Sequence, residues 1–224
     1  MMLVCAFLCT SGCMCSVVSQ AVYLGSLLMA MTASGSSSSS VGRRIGEAKS
    51  SFSSLCEVWK HANISKFRKI QIYEACVISK LSFSLECECL RQADKARLNA
   101  FHCKCLRRIL KVPPSWISRV SNTTVLEMAK TSHLSDKLLH NQLSLFGKIA
   151  MSPNDSLMRK LTFQPNSLQP VALYRRQGRP RLSWQSVLYA HARTIMSTDQ
   201  LNSLLLHEGR SFITWKQYLA EHGL

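Results

Sequence analysis

Apolar residues in this chain recur at helical spacing, in runs cut short by prolines, and that pattern restricts it to a mainly α-helical fold. Ile45, Ala48, Phe52, Leu55 and Trp59 share one face of a first helix, with Lys49 and Lys60 off that face. Asn63 or Ser65 is placed to cap a second helix, whose inward positions are Phe67, Ile70, Tyr73, Val77 and Leu81 and which runs on towards Leu90. A third surrounds Asp94 and turns Leu98, Phe101, Cys105 and Ile109 inward. Pro113-Pro114 ends it, because proline cannot continue the hydrogen-bond ladder. A short helix follows around Thr124 to Lys130. Ser135 is then placed to cap a longer one, carrying Leu138, Leu139, Gln142, Leu145, Phe146 and Ile149 and stopped by Ser152-Pro153. Apolar positions from Trp184 through Leu201 and Leu205 to Trp215 and Leu219 predict two or three closing helices. One strand is expected, near Val22 to Leu28.

Composition shifts divide the chain. Residues 1–42 carry no Lys, Arg, Asp, Glu or His. Within them, 1–21 is an apolar segment open to three readings. Ser19-Gln20-Ala21 has the small-x-small form of a signal cleavage site, but no basic residue precedes the apolar run. A membrane span fits less well, because Thr10, Ser11 and Gly12 interrupt the run. The favoured reading is a start placed inside a longer ancestral frame. Residues 22–41 are expected to hold a hairpin and a flexible Ser-rich loop, Ser34 to Ser40. Residues 42–112 and 113–163 read as helical units. Residues 164–181, with Pro165, Pro170, Gly178 and Pro180, read as a basic linker, and 182–224 as C-terminal helices.

Charge narrows the function. The chain has 28 Lys and Arg against 12 Asp and Glu, a net charge of +16. Such an excess implies a polyanionic partner. The charge is spread over many segments rather than gathered beside one apolar anchor, which favours the backbone of RNA, DNA or a hybrid over a membrane surface. Arg91, Lys95, Arg97, Lys104, Arg107, Arg108 and Lys111 meet one local acid, Asp94, and are expected to form a basic ridge. Arg43 and Arg44 open the first helix, and Arg175, Arg176, Arg179 and Arg181 lie in the linker. Gly178-Arg179-Pro180 matches the core of minor-groove AT-hook peptides. The tripeptide is short and common, so phosphate contact is the expected role.

No catalytic or metal site emerges. Cys87-x-Cys89 and His102-Cys103-x-Cys105 are spaced wrongly for zinc, since residues i and i+2 on a helix point to different sides. The cysteines are expected to pack as small apolar residues, with His102 at the surface and Glu86 and Glu88 an exposed pair. There is no Gly-rich phosphate loop and no His-Glu-x-x-His. No cofactor and no small-molecule substrate are expected. The ten cysteines, placed mostly within helical patterns, fit a reduced intracellular protein, cytoplasmic or nuclear, with secretion left open.

An ordered series of motifs carries a resemblance. Tyr23-Leu24-Gly25-Ser26 is followed by Arg43-Arg44-Ile45-Gly46, Ile70-Gln71-Ile72-Tyr73, Cys105-Leu106-Arg107-Arg108-Ile109-Leu110, Arg119-Val120-Ser121-Asn122 and Gly178-Arg179-Pro180-Arg181 with Trp184 behind it. In this order they resemble the region after the palm in reverse transcriptases of LINE-type (non-LTR) retrotransposons, from about Val22 to about Ala190. The resemblance implies a thumb-like helical bundle that holds a template–primer duplex. It does not extend to an RNA-directed DNA polymerase activity. Two-metal nucleotidyl transfer needs paired carboxylates, and no Asp precedes Asp94. Where such proteins often carry an aromatic-Gly pair before Glu-x-Trp, this chain has Phe83-Ser84-Leu85-Glu86-Cys87-Glu88-Cys89. The expectation is a catalytically incompetent piece that retains nucleic-acid binding, with some apolar surface left exposed. The alternatives are a secreted or membrane-associated cysteine-rich basic protein entered through a signal peptide, and an expressed pseudogene product.

Overall fold

The computed structural model describes residues 20–23, 26–29, 37–171, 183–206 and 211–221. The chain divides into two compact units, Met1–Ser36 and Ser37–Leu224. In the first, strands β1 (Gln20–Tyr23) and β2 (Ser26–Met29) pair antiparallel, with Gln20 opposite Met29 and Tyr23 opposite Ser26.

The second unit is mainly α-helical. Helix α1 (Ser37–His61) is followed by α2 (Lys66–Tyr73), which continues through a π-helical turn, Glu74–Ile78, into α3 (Ser79–Ser82). A 3-10 turn at Leu85–Cys87 leads to α4 (Gln92–Leu110), the short α5 (Ser115–Ser118), α6 (Asn122–Ala129) and α7 (Leu134–Ala150). Then come α8 (Leu157–Thr162), α9 (Trp184–Ile195), α10 (Thr198–Leu206) and α11 (Phe212–Glu221). Among the described residues, no helix is long and apolar enough to cross a membrane.

Two hydrophobic clusters organise this unit. The first joins α1 through α4, α6 and the start of α7, with Phe52, Tyr73, Leu81, Leu98, Leu106 and Leu138 among its members. The second joins the rest of α7 to α9, α10 and α11 through Phe146, Phe163, Leu188, Leu205 and Trp215. Helix α7 serves both, because Leu134 and Leu138 belong to one and Leu143, Phe146 and Ile149 to the other.

Several expectations are corrected. Ser37–Ser40 are helical, not loop: Ser40 is buried and its hydroxyl donates to Glu88 Oε1 at 2.6 Å, a partner 48 residues away that no local pattern announces. Ser34 to Ser36 lie outside the described residues. Of the two caps expected for α2, Ser65 is the one used, accepting from the Arg68 N–H. Phe67 faces outward, 63% exposed, because it lies in the first turn of α2 before that helix meets α1 and α4. The second helix stops at Ser82, where Phe83 turns extended and Ser84 takes a left-handed φ of 68°. His133, not Ser135, is the N-cap residue of α7; the Ser135 N–H instead donates to Asn99 Oδ1 on α4 at 2.9 Å. The supposed linker 164–181 begins against the core: Leu168 is buried, and Pro170 bridges to the buried Phe163 just ahead of it. Apolar surface is exposed on α8, at Leu157, Met158 and Leu161.

Gly147 shows how closely the second cluster is packed. A Cβ there would lie 2.4 Å from Cδ1 and Nε1 of Trp215, whose indole N–H donates to Leu143 O at 3.0 Å. Alanine normally stabilises a helix interior relative to glycine by about 1 kcal/mol. Here Gly147→Ala is expected to destabilise by about 1–3 kcal/mol, because the rigid indole must shift. Thermal unfolding of the two proteins measures the sign directly.

Candidate nucleic-acid interface

Helix α4 separates its basic residues into two sets. Arg97, Lys104, Arg108 and Lys111 follow one another at intervals of seven, four and three residues and are all exposed. At 3.6 residues per turn that spacing keeps them on one stripe, about 20 Å long. Leu98, Cys105, Leu106 and Ile109 occupy the buried side. The one acid on the helix, Asp94, is buried and sits 3.8 Å from Arg97. Among the described residues, Lys104, Arg108 and Lys111 have no carboxylate within ion-pair distance.

The stripe rests on an aromatic cluster. Phe52 packs edge-on against Trp59 and Tyr73, with ring centroids 6.1 and 5.6 Å apart. The Arg108 guanidinium lies over the Phe52 ring at 5.5 Å, and the Lys69 ammonium over Trp59 at 5.7 Å. A cation over an aromatic face is attracted by the ring quadrupole while its outer side stays in water. Both charges are thereby held over neighbouring rings, presented rather than buried. Lys69 had no signal in the sequence, because only the packing of α2 on α1 brings it to these rings.

Arg107 is corrected. It was expected on the ridge, yet it is 8% exposed and points into the protein. Its Nη1 donates to Pro113 O at 3.0 Å, and its Nη2 to Val120 O at 2.6 Å and Asn122 Oδ1 at 3.0 Å. Neighbouring residues on a helix are rotated by about 100°, so Arg107 and Arg108 cannot share a face. Arg44 is corrected likewise: it is buried and lies 5.2 Å over the Phe83 ring. Arg43 is half-buried and donates to Glu47 at 2.8 Å. Arg175, Arg176, Arg179 and Arg181 lie outside the described residues. Arg159, further back, is buried and donates to Ala150 O.

Trp184, which closes the last sequence motif, serves packing. Its indole N–H donates to Glu86 O at 2.7 Å. Glu86 also accepts from Asn141 at 3.3 Å, and Glu88 from Ser40, so neither is the exposed carboxylate expected from the sequence. Burial raises the Glu88 carboxyl above its ordinary range.

His102, expected at the surface, is fully buried, because α2 and α7 close over that side of α4. Its Nδ1 lies 3.0 Å from the Tyr73 hydroxyl. Burial pushes its pKa down to about 4, and the Lys137 ammonium adds to the effect. Burial also lifts Tyr73, and raises Cys105 to about 12. This is a neutral polar cluster inside the core. Cys103 and Cys105 are buried as small apolar groups, whereas Cys76 and Cys87 are exposed. Among the described residues, no three His, Cys, Asp or Glu side chains gather as a metal site.

No protein family, curated protein or solved structure was found to match the chain.

Two measurements test this division of roles. Arg107→Ala removes the donor to Val120 O and Asn122 Oδ1 and one of the two donors to Pro113 O, and is expected to cost about 1–3 kcal/mol of stability in denaturant unfolding. Arg107→Lys recovers little of that, since an ammonium cannot reproduce the planar fork. The second concerns pH. His102 has a lower pKa folded than unfolded, so the unfolded chain takes up the proton first and stability falls as pH drops. The loss falls between the ordinary histidine value of about 6.5 and about 4, and is of order 3 kcal/mol. His102→Gln is expected to remove that share of the slope of stability against pH, leaving the smaller contribution of His191, which burial also lowers.

Proposed function

We propose that this protein grips the sugar–phosphate backbone of nucleic acid through the outer stripe of α4, as a thumb-like bundle related to the region behind the palm of LINE-type reverse transcriptases. The observation that carries the reading is the stripe of Arg97, Lys104, Arg108 and Lys111, three of whose members have no acidic partner among the described residues. Cations on a rigid helix can replace condensed counterions along a phosphate backbone without reading sequence. The ordered motif series supports the family reading, and the mainly α-helical unit agrees with it. The chain has no aspartate ahead of Asp94, and Asp94 is itself buried beside Arg97. Binding rather than nucleotidyl transfer is therefore the proposed role of this chain. Arg43 and the linker arginines Arg175, Arg176, Arg179 and Arg181 would add phosphate contacts, while Arg44 and Arg107 hold the scaffold.

The test is binding of the purified chain to a labelled RNA–DNA hybrid across a salt series. Affinity is expected to fall steeply with salt. Replacing Lys104, Arg108 and Lys111 together by Gln is expected to lower the slope of log affinity against log salt by about two to three. An unchanged slope in the triple variant rules out α4 as the gripping element.

A further inference from the structure

Trp116 is the feature of the described surface that the backbone-gripping role does not use. It is 80% exposed, whereas Trp59 and Trp215 are buried and Trp184 is half-buried and bonded. An indole left in water leaves a large apolar face unburied, and tryptophan is seldom found so exposed. Ile117 beside it is 56% exposed.

The segment that carries Trp116 is held firmly. Lys111 ends α4 with a φ of 60°, and Arg119 ends α5 with a φ of 54°. Between them, Pro113 O accepts from Arg107 Nη1 at 3.0 Å and from Ser118 Oγ at 3.1 Å. Val120 O and Asn122 Oδ1 accept from Arg107 Nη2. The buried guanidinium thus pins both ends of the turn to the last turn of α4, and the indole stands on its outside. Lys111 and Arg119 flank it and are exposed. Trp116 lies five residues from Lys111, so the two Cα atoms are at most about 17 Å apart. The exposed ring is therefore carried close to the cation that closes the stripe.

A row of cations with an exposed aromatic face a few residues beyond its last member suits one ligand: a nucleic-acid strand whose backbone follows the charges and whose unpaired base stacks on the ring. A paired base offers no free face, except at a duplex end. We propose that Trp116 is a stacking platform for an unpaired nucleobase, so that the protein prefers a duplex with a single-stranded extension over a blunt one. This inference rests on the proposed grip by α4 and adds the form of the ligand.

The experiment compares the full chain on two RNA–DNA hybrids of equal duplex length, one blunt and one with a five-nucleotide single-stranded tail, at low salt. The tailed hybrid is expected to bind about 5- to 100-fold tighter and to quench the red-shifted tryptophan emission. Trp116→Ala is expected to abolish both the preference and the quenching while affinity for the blunt hybrid holds. Trp116→Phe, which keeps a ring, is expected to retain most of the preference. Because the side chain lies outside the core, neither change removes buried packing. No preference, or a preference that survives Trp116→Ala, overturns the platform and leaves the grip by α4 standing. Failure of both hybrids to bind at low salt overturns the grip and the platform together. A concentration-dependent blue shift of the Trp116 emission without nucleic acid, seen with no quenching by the tailed hybrid, would assign the indole to self-association and also overturn the platform.

Discussion

Gln142 stands where α7 passes from one hydrophobic cluster to the other. Its amide nitrogen, buried with the rest of the side chain, donates to Glu88 O at 2.9 Å and Leu85 O at 3.3 Å. Those carbonyls belong to the segment between α3 and α4, whose 3-10 turn supplies the Glu88 N–H to Leu85 O at 3.2 Å and leaves Glu88 O to the Gln142 amide. A buried carbonyl left without a donor costs about 1–3 kcal/mol, so this one side chain lets a non-helical segment run beneath a helix. Ser40 and Trp184 complete the attachment from α1 and α9 through Glu88 and Glu86. Three distant helices are thereby referred to one short turn.

Around that join, the positive charge is sorted by position rather than spread evenly. Arg44, Arg107 and Arg159 are buried and donate to or stack on parts of the scaffold. Lys104, Arg108 and Lys111 stay outside. The two sets depend on each other. Arg107 ties the chain after Pro113 to the end of α4, and that tie keeps Lys111, Trp116 and Arg119 in a fixed relation to the outer stripe. Arginine suits the inner role because its planar fork can serve three acceptors at once. The interior of the first cluster also holds Tyr73, His102 and Cys105, whose burial favours their uncharged forms. Within it the Tyr73 hydroxyl pairs with His102 Nδ1 at 3.0 Å, and an uncharged group costs far less to bury than an ion.

Helix periods were legible without a structure because burial of a helix leaves a repeating mark in the chain. The inward faces of α1, α4 and α7 follow from residues such as Phe52, Leu98 and Phe146. So did the proline stop after α4, which acts through the local backbone alone. The direction of Arg107 was not legible. Arg107 and Arg108 are chemically identical neighbours, and the outward place of one and the inward place of the other depend on acceptors up to 15 residues away. The same holds for His102, whose burial requires α2 and α7 to close over it.

By itself, then, the sequence determined what acts over a few residues: a mainly α-helical chain, its apolar faces, its stops and its excess of positive charge. Tertiary structure alone decided which cations are free to meet a ligand and which are spent inside, that the serines from Ser37 to Ser40 belong to a helix, and that Gly147 must lack a side chain beside Trp215. The physical reason is one of range. Helix propensity and amphipathic spacing are set by neighbours three or four positions apart, whereas a hydrogen-bond acceptor for a buried guanidinium or hydroxyl exists only once distant segments have packed.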